Sequence, residues 1–331
     1  MKKINLYSIL VIALIISTTL LIVACKSNII LNNNQTKPNN NTTKPLTGSA
    51  AEDISKNVDY DYNMKYDTTT DSNIRYVGGE PNNYVLFNDE RWRIIGVFNN
   101  VETENGKKQT MLKIMRSESI GKLSWDSSTK DVNDIYSGLG VNDWSTSDLM
   151  YLLNYGSYWN SNSGDCYVGK NNEKETCNFN IIGLSDEAKS LIEKVKWNIT
   201  PTNTTTLKAS TMYKTERKEK SWVGYVGLIS PSDYGFASYK CFDNTALNNY
   251  DIEACNYTNY IYKIITNDKT NDLWTIMSDY KVNNKVYTVG KVMKKANTYD
   301  QRSVYPTLYL KADVKIESGT GTYIDPYILT K

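Results

Sequence analysis

Apolar positions divide the chain into three parts. From Leu6 to Ala24 the residues are almost continuously apolar behind Lys2 and Lys3, and from residue 26 to about residue 56 they are dense in Asn, Thr, Lys and Pro. From about Asn73 they alternate in short runs. A basic start followed by an apolar run has the charge and hydropathy order of an export signal, and its length of about nineteen residues leaves an uncleaved membrane span as the alternative. The polar stretch has few groups to bury and reads as an unstructured tether whose ends lie roughly 30 Å apart on average. The organisation expected is therefore a signal peptide over residues 1–24, a linker over 25–56 and one extracytoplasmic domain over 57–331.

Within that domain the period of two dominates. "NYVLFNDERWRIIGVF", Asn83 to Phe98, predicts a hairpin with a polar "NDE" turn, and "QTMLKIMR", Gln109 to Arg116, a third strand. Two helices have legible starts. "STSDLMYLLN" sets Ser145 three residues before Asp148 in a near capping box, and "SDEAKSLIEKVKW" opens at Ser185 with Ala188, Leu191, Ile192 and Val195 on one helical face. "SPSD", Ser230 to Asp233, predicts a capped turn with Pro at its first position. Strands return at "YVGLI", "LWTIM", a hairpin around Asn283 and Asn284, and "VYPTLYL". This order predicts an α+β fold: a mostly antiparallel sheet, two packed helices and long loops.

Two resemblances add to this reading. "IVAC", Ile22 to Cys25, resembles the cleavage and lipidation box of bacterial lipoproteins, which implies cleavage before Cys25, a diacylglycerol thioether on its sulfur and retention on the outer face of a cell membrane. Two acyl chains suffice for stable anchoring. The blocks "RWRIIGV", "DWSTSDLMYLLN", "GLISPSDYGF", "LWTIM" and "VYPTLYLKADVKI", closed by "SGTGTYIDPYIL", resemble a family of extracytoplasmic bacterial domains related to the C-type-lectin-like and formylglycine-generating-enzyme-like fold. That resemblance implies a last strand near the first and long central connections on one loop-rich face.

Composition narrows the chemistry. There is no histidine among the 331 residues, which removes the commonest general base and metal ligand. Thirty-eight Lys and Arg against 36 Asp and Glu give a net charge of +2, which loss of Lys2 and Lys3 would bring to zero, so nothing favours nucleic acid. Cys166, Cys177, Cys241 and Cys255 form two pairs close in sequence, and an even number in an exported chain points to disulfides. Proximity favours Cys166 with Cys177 and Cys241 with Cys255, each loop worth about 3 kcal/mol. Zinc lacks a C-x-x-C spacing, and no metal or cofactor is called for.

Other stretches have plainer explanations. "EPN", Glu80 to Asn82, matches a lectin motif by letters, but turn chemistry accounts for "GGEPNN". "DYDYN", Asp59 to Asn63, lacks the glycine and glutamate of a calcium loop. "KTERKEK", Lys214 to Lys220, reads as a solvated charge run. Asp148 and Asp233 have capping roles, and Asp143 is the carboxylate to examine for catalysis. Trp92, Trp144, Trp222 and Trp274 fall in strand and helix blocks and read as core. Trp159, Tyr158, Tyr257 and Tyr260 fall in irregular segments and are the candidate ligand contacts. The function expected is surface recognition or adhesion toward an envelope polymer, a host glycan or a protein, with an extracytoplasmic enzyme or a structural envelope component as alternatives.

Overall fold

The computed structural model describes residues 48–127, 138–267 and 271–331. Cys25, the Leu6–Ala24 run and most of the polar stretch lie outside the described residues. No helix among the described residues is long and apolar enough to cross a membrane.

Order begins before residue 57. Ser49 caps a helix, Ala50–Ser55, by accepting from the Glu52 amide while the Glu52 carboxylate accepts from the Ser49 amide. Ala50, Ala51 and Ile54 are buried, and the Ala50 amide donates to the Val314 carbonyl at 2.6 Å. The C-terminal end of the expected tether thus belongs to the folded body. Three apolar residues on one helical face outweigh the polar composition around them.

The main sheet is built from β1 (Met64–Tyr66), β2 (Ile74–Tyr76), β3 (Tyr84–Phe87), β4 (Glu90–Glu102) and β5 (Lys108–Arg116). β3 and β4 form the expected hairpin. Asn88 and Asp89 both take positive φ, 56° and 59°, as a two-residue turn matched to strand twist requires. β5 pairs with Thr307–Tyr309, which pairs with Val226–Gly227; on the other side β3 runs parallel to the closing strand Tyr327–Thr330. The last strand therefore lies beside the β3–β4 hairpin. A second sheet of five strands centres on Asp272–Ser278 and Lys285–Gly290. Apart from two parallel pairings the ladders are antiparallel, and the fold is α+β. Trp92, Trp125, Trp144 and Trp274 are fully buried.

Both helix starts differ in detail from the sequence pattern. Asp143 caps a short 3₁₀ turn, Trp144–Thr146, and Ser147 rather than Ser145 caps Asp148–Asn154, accepting from the Met150 amide at 3.1 Å. The Asp148 carboxylate instead accepts from the Ser127 amide at 2.9 Å, tying the helix start to a distant segment. The Ser185 helix covers only Asp186–Leu191. Ile192 and Val195 are buried in extended backbone, Ile192 bridging Leu310 and Val195 opening the strand Val195–Asn198. Their β-branched side chains favour that geometry, and over four residues the helical and strand periods coincide.

Disulfides Cys166–Cys177 and Cys241–Cys255 join the pairs that are close in sequence, with Cα separations of 5.8 and 5.3 Å. The first staples the hairpin of Ser163–Tyr167 with Lys174–Asn178.

A cluster of buried charges sits between the main sheet and the helix Pro231–Phe236. Arg75 on β2 and Lys113 on β5 both lie opposite Gly96 of β4, so their side chains converge over a position that has none. A Cβ at Gly96 would lie 2.1 Å from the Ile74 carbonyl oxygen. Asp233 receives Arg75 Nη1 at 2.7 Å and Lys113 Nζ at 2.6 Å, while Arg75 Nε reaches Asp67 at 3.0 Å. None of these four side chains is more than 3% exposed. The second role of Asp233 is the expected one, its carboxylate accepting from the Ser230 amide at 3.0 Å in a capping box with Pro231 at the first turn.

Burial alone would raise the Asp233 pKa, but Lys113 and Arg75 outweigh it and hold the group at about 2. Asp67 also lies below its ordinary value, the Arg75 guanidinium overcoming desolvation. For a depressed carboxylate the stabilisation is complete above the unfolded value, here 3.8, and disappears as pH falls through the folded one. Urea unfolding should therefore show stability falling between about pH 4 and pH 2. Asp233→Asn should cost about 3–5 kcal/mol at pH 7 by stranding Lys113, and should lose stability less steeply than wild type across that acid window. An unchanged acid slope in the variant would show that Asp233 does not carry the effect.

Candidate functional site

Three of the cavities among the described residues could each receive a small ligand. One, about 580 Å³, lies between Asp148–Asn154 and the disulfide hairpin, where Asp165 and Lys174 pair with each other at 3.0 Å. Another, about 340 Å³, runs beneath the charge run at Arg217–Lys220, and Arg217 lies 3.3 Å from the centre of the Tyr213 ring. The third, about 460 Å³, opens between the β3–β4 hairpin, the "GGEPNN" loop and the helix Tyr260–Asn267, with Tyr323 at its mouth. This last cleft has the most definite chemistry.

Arg93 forms its floor. The two-residue turn fixes the hairpin register so that Arg93 lies opposite Tyr84, and β4 is covered on both faces there, which buries Arg93 to 2% exposure. Its Nε donates to Asn83 Oδ1 at 2.5 Å and its Nη2 to the Pro81 carbonyl at 3.3 Å. The guanidinium centre lies 3.8 Å from the centre of the Tyr84 ring and 5.0 Å from that of Tyr260. No carboxylate forms an ion pair with Arg93 among the described residues. Two carboxylates that line the cleft are engaged elsewhere, Glu80 with Lys263 at 3.3 Å and Glu90 with Arg116 at 2.5 Å. Desolvation accordingly pushes the Arg93 pKa below the ordinary arginine value.

Above the floor the aromatic and cationic side chains continue in a stack. Tyr84 meets Tyr323 edge-on at 5.3 Å, and Arg91 lies 4.4 Å from the Tyr323 ring centre while donating from Nε to the Tyr323 carbonyl at 2.8 Å. The order is Arg93, Tyr84, Tyr323, Arg91. Tyr84 is half-buried and Tyr323 exposed, so the outer part of the array faces solvent.

Tyr260 closes the inner wall. Asn259 accepts from the amides of Ile261 at 3.0 Å and Tyr262 at 3.2 Å, which starts the helix and orients its first residue inward. The Tyr260 hydroxyl is buried without a hydrogen-bond partner among the described residues, and burial raises its pKa, which keeps it protonated.

The structure brings only one of the four sequence candidates to this cleft. Tyr260 is there, but as a buried wall rather than an exposed contact, because it shares the apolar helix face of Ile261, Ile264 and Ile265. Tyr158 is a core residue with no exposure, packed edge-on against Phe179 at 5.6 Å, and cannot meet a ligand. Trp159 is half-buried and tilted against Tyr225 at 4.9 Å. Tyr257 is exposed, with its carbonyl beside Gly79 at the edge of the "GGEPNN" loop. Asp143 caps its 3₁₀ turn and pairs with Lys220 at 3.2 Å. In "EPN", Glu80 is taken by Lys263 and the Pro81 carbonyl by Arg93. No group of three or more Cys, Asp or Glu among the described residues is placed to hold a metal ion.

Sequence reasoning passed over Arg93, Tyr84, Arg91 and Tyr323. The signal for the first two was present, since an Asn-Asp turn at 88–89 places residue 84 opposite residue 93. No protein-family model, curated protein or solved structure matches the chain, so the cleft's own geometry carries the functional reading.

An orphaned buried hydroxyl costs about 1–3 kcal/mol in desolvation that a phenyl ring avoids. Tyr260→Phe should therefore leave thermal stability unchanged or raise it, and Tyr323→Ala should change it by about 0.5 kcal/mol or less. A marked loss of stability in Tyr260→Phe, measured by denaturant unfolding, would mean that the hydroxyl serves the fold.

Proposed function

We propose that the chain is a lipid-anchored protein on the outer face of a bacterial membrane whose folded part is a recognition module, and that the ligand is met at the cleft over Arg93. The stack of Arg93, Tyr84, Tyr323 and Arg91 carries this reading. Tyr and Arg are the side chains that concentrate binding energy at interfaces, because they combine large apolar faces with directed polar groups. Here they are held in place by one another and by a two-residue turn, which reduces the side-chain entropy lost on binding. The anchor rests on "IVAC" behind its basic apolar leader, and the polar stretch after Cys25 would lift the domain from the bilayer. We read the scaffold as C-type-lectin-like, supported by the last strand lying beside the β3–β4 hairpin and by the long connections between the two sheets.

Envelope polymers and host glycans are the favoured ligands, since the exposed Tyr323 ring, with Tyr84 edge-on to it, offers aromatic surface that suits the apolar faces of sugar rings. Tyr323→Ala and Arg91→Ala should each weaken capture of such a ligand by about thirtyfold, equivalent to about 2 kcal/mol, without a matching loss of melting temperature. Retained affinity in both variants would remove the cleft from the binding surface, and multiple-turnover product formation would replace recognition by catalysis. Separately, a fatty-acid analogue should label the wild type and spare Cys25→Ser in a bacterial host. Equal labelling of both would overturn the anchor.

A further inference from the structure

We infer that the floor of this cleft takes the carboxylate of an acidic sugar, a uronic-acid type of unit, against the Arg93 guanidinium, with the Tyr260 hydroxyl as second donor. The inference deepens the recognition reading of the same cleft and rests on it.

The first observation is a charge without a counterion. Arg93 is buried, its Nε and Nη2 are held by neutral oxygens of Asn83 and Pro81, and its Nη1 donates to no group among the described residues. Buried cations are ordinarily paired, as Arg75 and Lys113 are in this same molecule. The second observation is independent. Tyr260, also buried, carries a hydroxyl with no acceptor in the wall of the same cleft, and Asn259 holds the start of its helix in place. An anion brought against Arg93 supplies both missing partners.

The remaining lining selects among anions. At the floor the cation is Arg93 alone, Arg91 lying outward beside Tyr323, and the planar guanidinium matches a planar carboxylate. Asp89 and Glu118 also line the cleft and form no ion pair among the described residues. They oppose a doubly charged phosphate group while accepting hydrogen bonds from sugar hydroxyls. Tyr84 and Tyr323, edge-on to each other, supply aromatic surface beside the anion site. A volume of about 460 Å³ is of the size that holds a small ligand or a short segment of a polymer rather than a protein surface.

The test is calorimetric titration of the detergent-solubilised full chain with a glucuronic-acid-containing oligosaccharide, its carboxyl-reduced counterpart, a phosphorylated sugar and a peptide with a free C-terminus. The acidic oligosaccharide should bind at least tenfold more tightly than the reduced form and than either other anion. Arg93→Lys should weaken it at least tenfold by losing the planar fork, and Tyr260→Phe about three- to tenfold with unimpaired stability. If Arg93→Lys proves unstable, Tyr260→Phe and the reduced sugar still decide. Equal binding of acidic and reduced sugars, both weakened by Tyr323→Ala, would overturn the carboxylate site and leave recognition at the cleft standing. Preference for the phosphorylated sugar or the peptide would overturn the acidic-sugar assignment. Absence of binding by all four, with affinity for other ligands unaffected by Tyr323→Ala, would overturn the inference and the recognition cleft together.

Discussion

One buried carboxylate ties the two halves of the chain together. Asp233 caps the Pro231–Phe236 helix from within and accepts Arg75 of β2 and Lys113 of β5 across the main sheet. Charges this deep are costly to desolvate, and the arrangement persists because each finds its opposite at hydrogen-bond distance. Gly96 lies between the two basic residues on β4 and leaves them room to converge. The Arg75 guanidinium is further enclosed by Phe98 and Phe236, 4.1 and 4.8 Å from their ring centres. A central connection of the chain is thereby fixed in one orientation on the strands that precede it.

That fixed helix also sets the cleft. The residue after Asp233 is Tyr234, whose hydroxyl donates to Asn256 at 2.9 Å and whose carbonyl accepts from Asn259 Nδ2 at 2.8 Å. Asn259 in turn caps the helix that begins with Tyr260. One peptide link and then hydrogen bonds through Tyr234 and Asn259 thus connect the ionic cluster to the cleft wall. The opposite wall is the β3–β4 hairpin, whose β4 is a neighbour of β2 and β5 in the same sheet. Both walls are referred to one rigid hub, which suits a preorganised binding surface.

The readable parts of the sequence were those governed by neighbours. The β3–β4 hairpin follows from alternation around a two-residue turn, the Ser230 cap from Pro231 and Asp233, and the disulfides from short separations. Asp233 showed only its local role, because its partners Arg75 and Lys113 stand 158 and 120 residues away and leave no periodic trace. The same distance hides Tyr323, which reaches the cleft from the closing segment. Tyr158 and Tyr260 misled for another reason. In a chain with 26 tyrosines many serve as core, as Tyr234, Tyr250 and Tyr305 do, so an irregular local pattern does not mark a tyrosine as exposed. Ser145 and Ser147 stand two residues apart as rival caps, and the groups that engage Asp148, the Ser127 amide and the Asp126 carboxylate, lie more than twenty residues away.

The central claim is that ligand is met between the hairpin, the "GGEPNN" loop and the Tyr260–Asn267 helix. Amide hydrogen exchange of the full chain, with and without an acidic envelope glycan, tests it most directly because it reports every segment at once and requires no substitution. The account predicts slowed exchange confined to residues 79–83, 88–91, 257–263 and 321–325. Protection concentrated instead at residues 151–174 beside the disulfide hairpin, or at the charge run of residues 214–220, would contradict it.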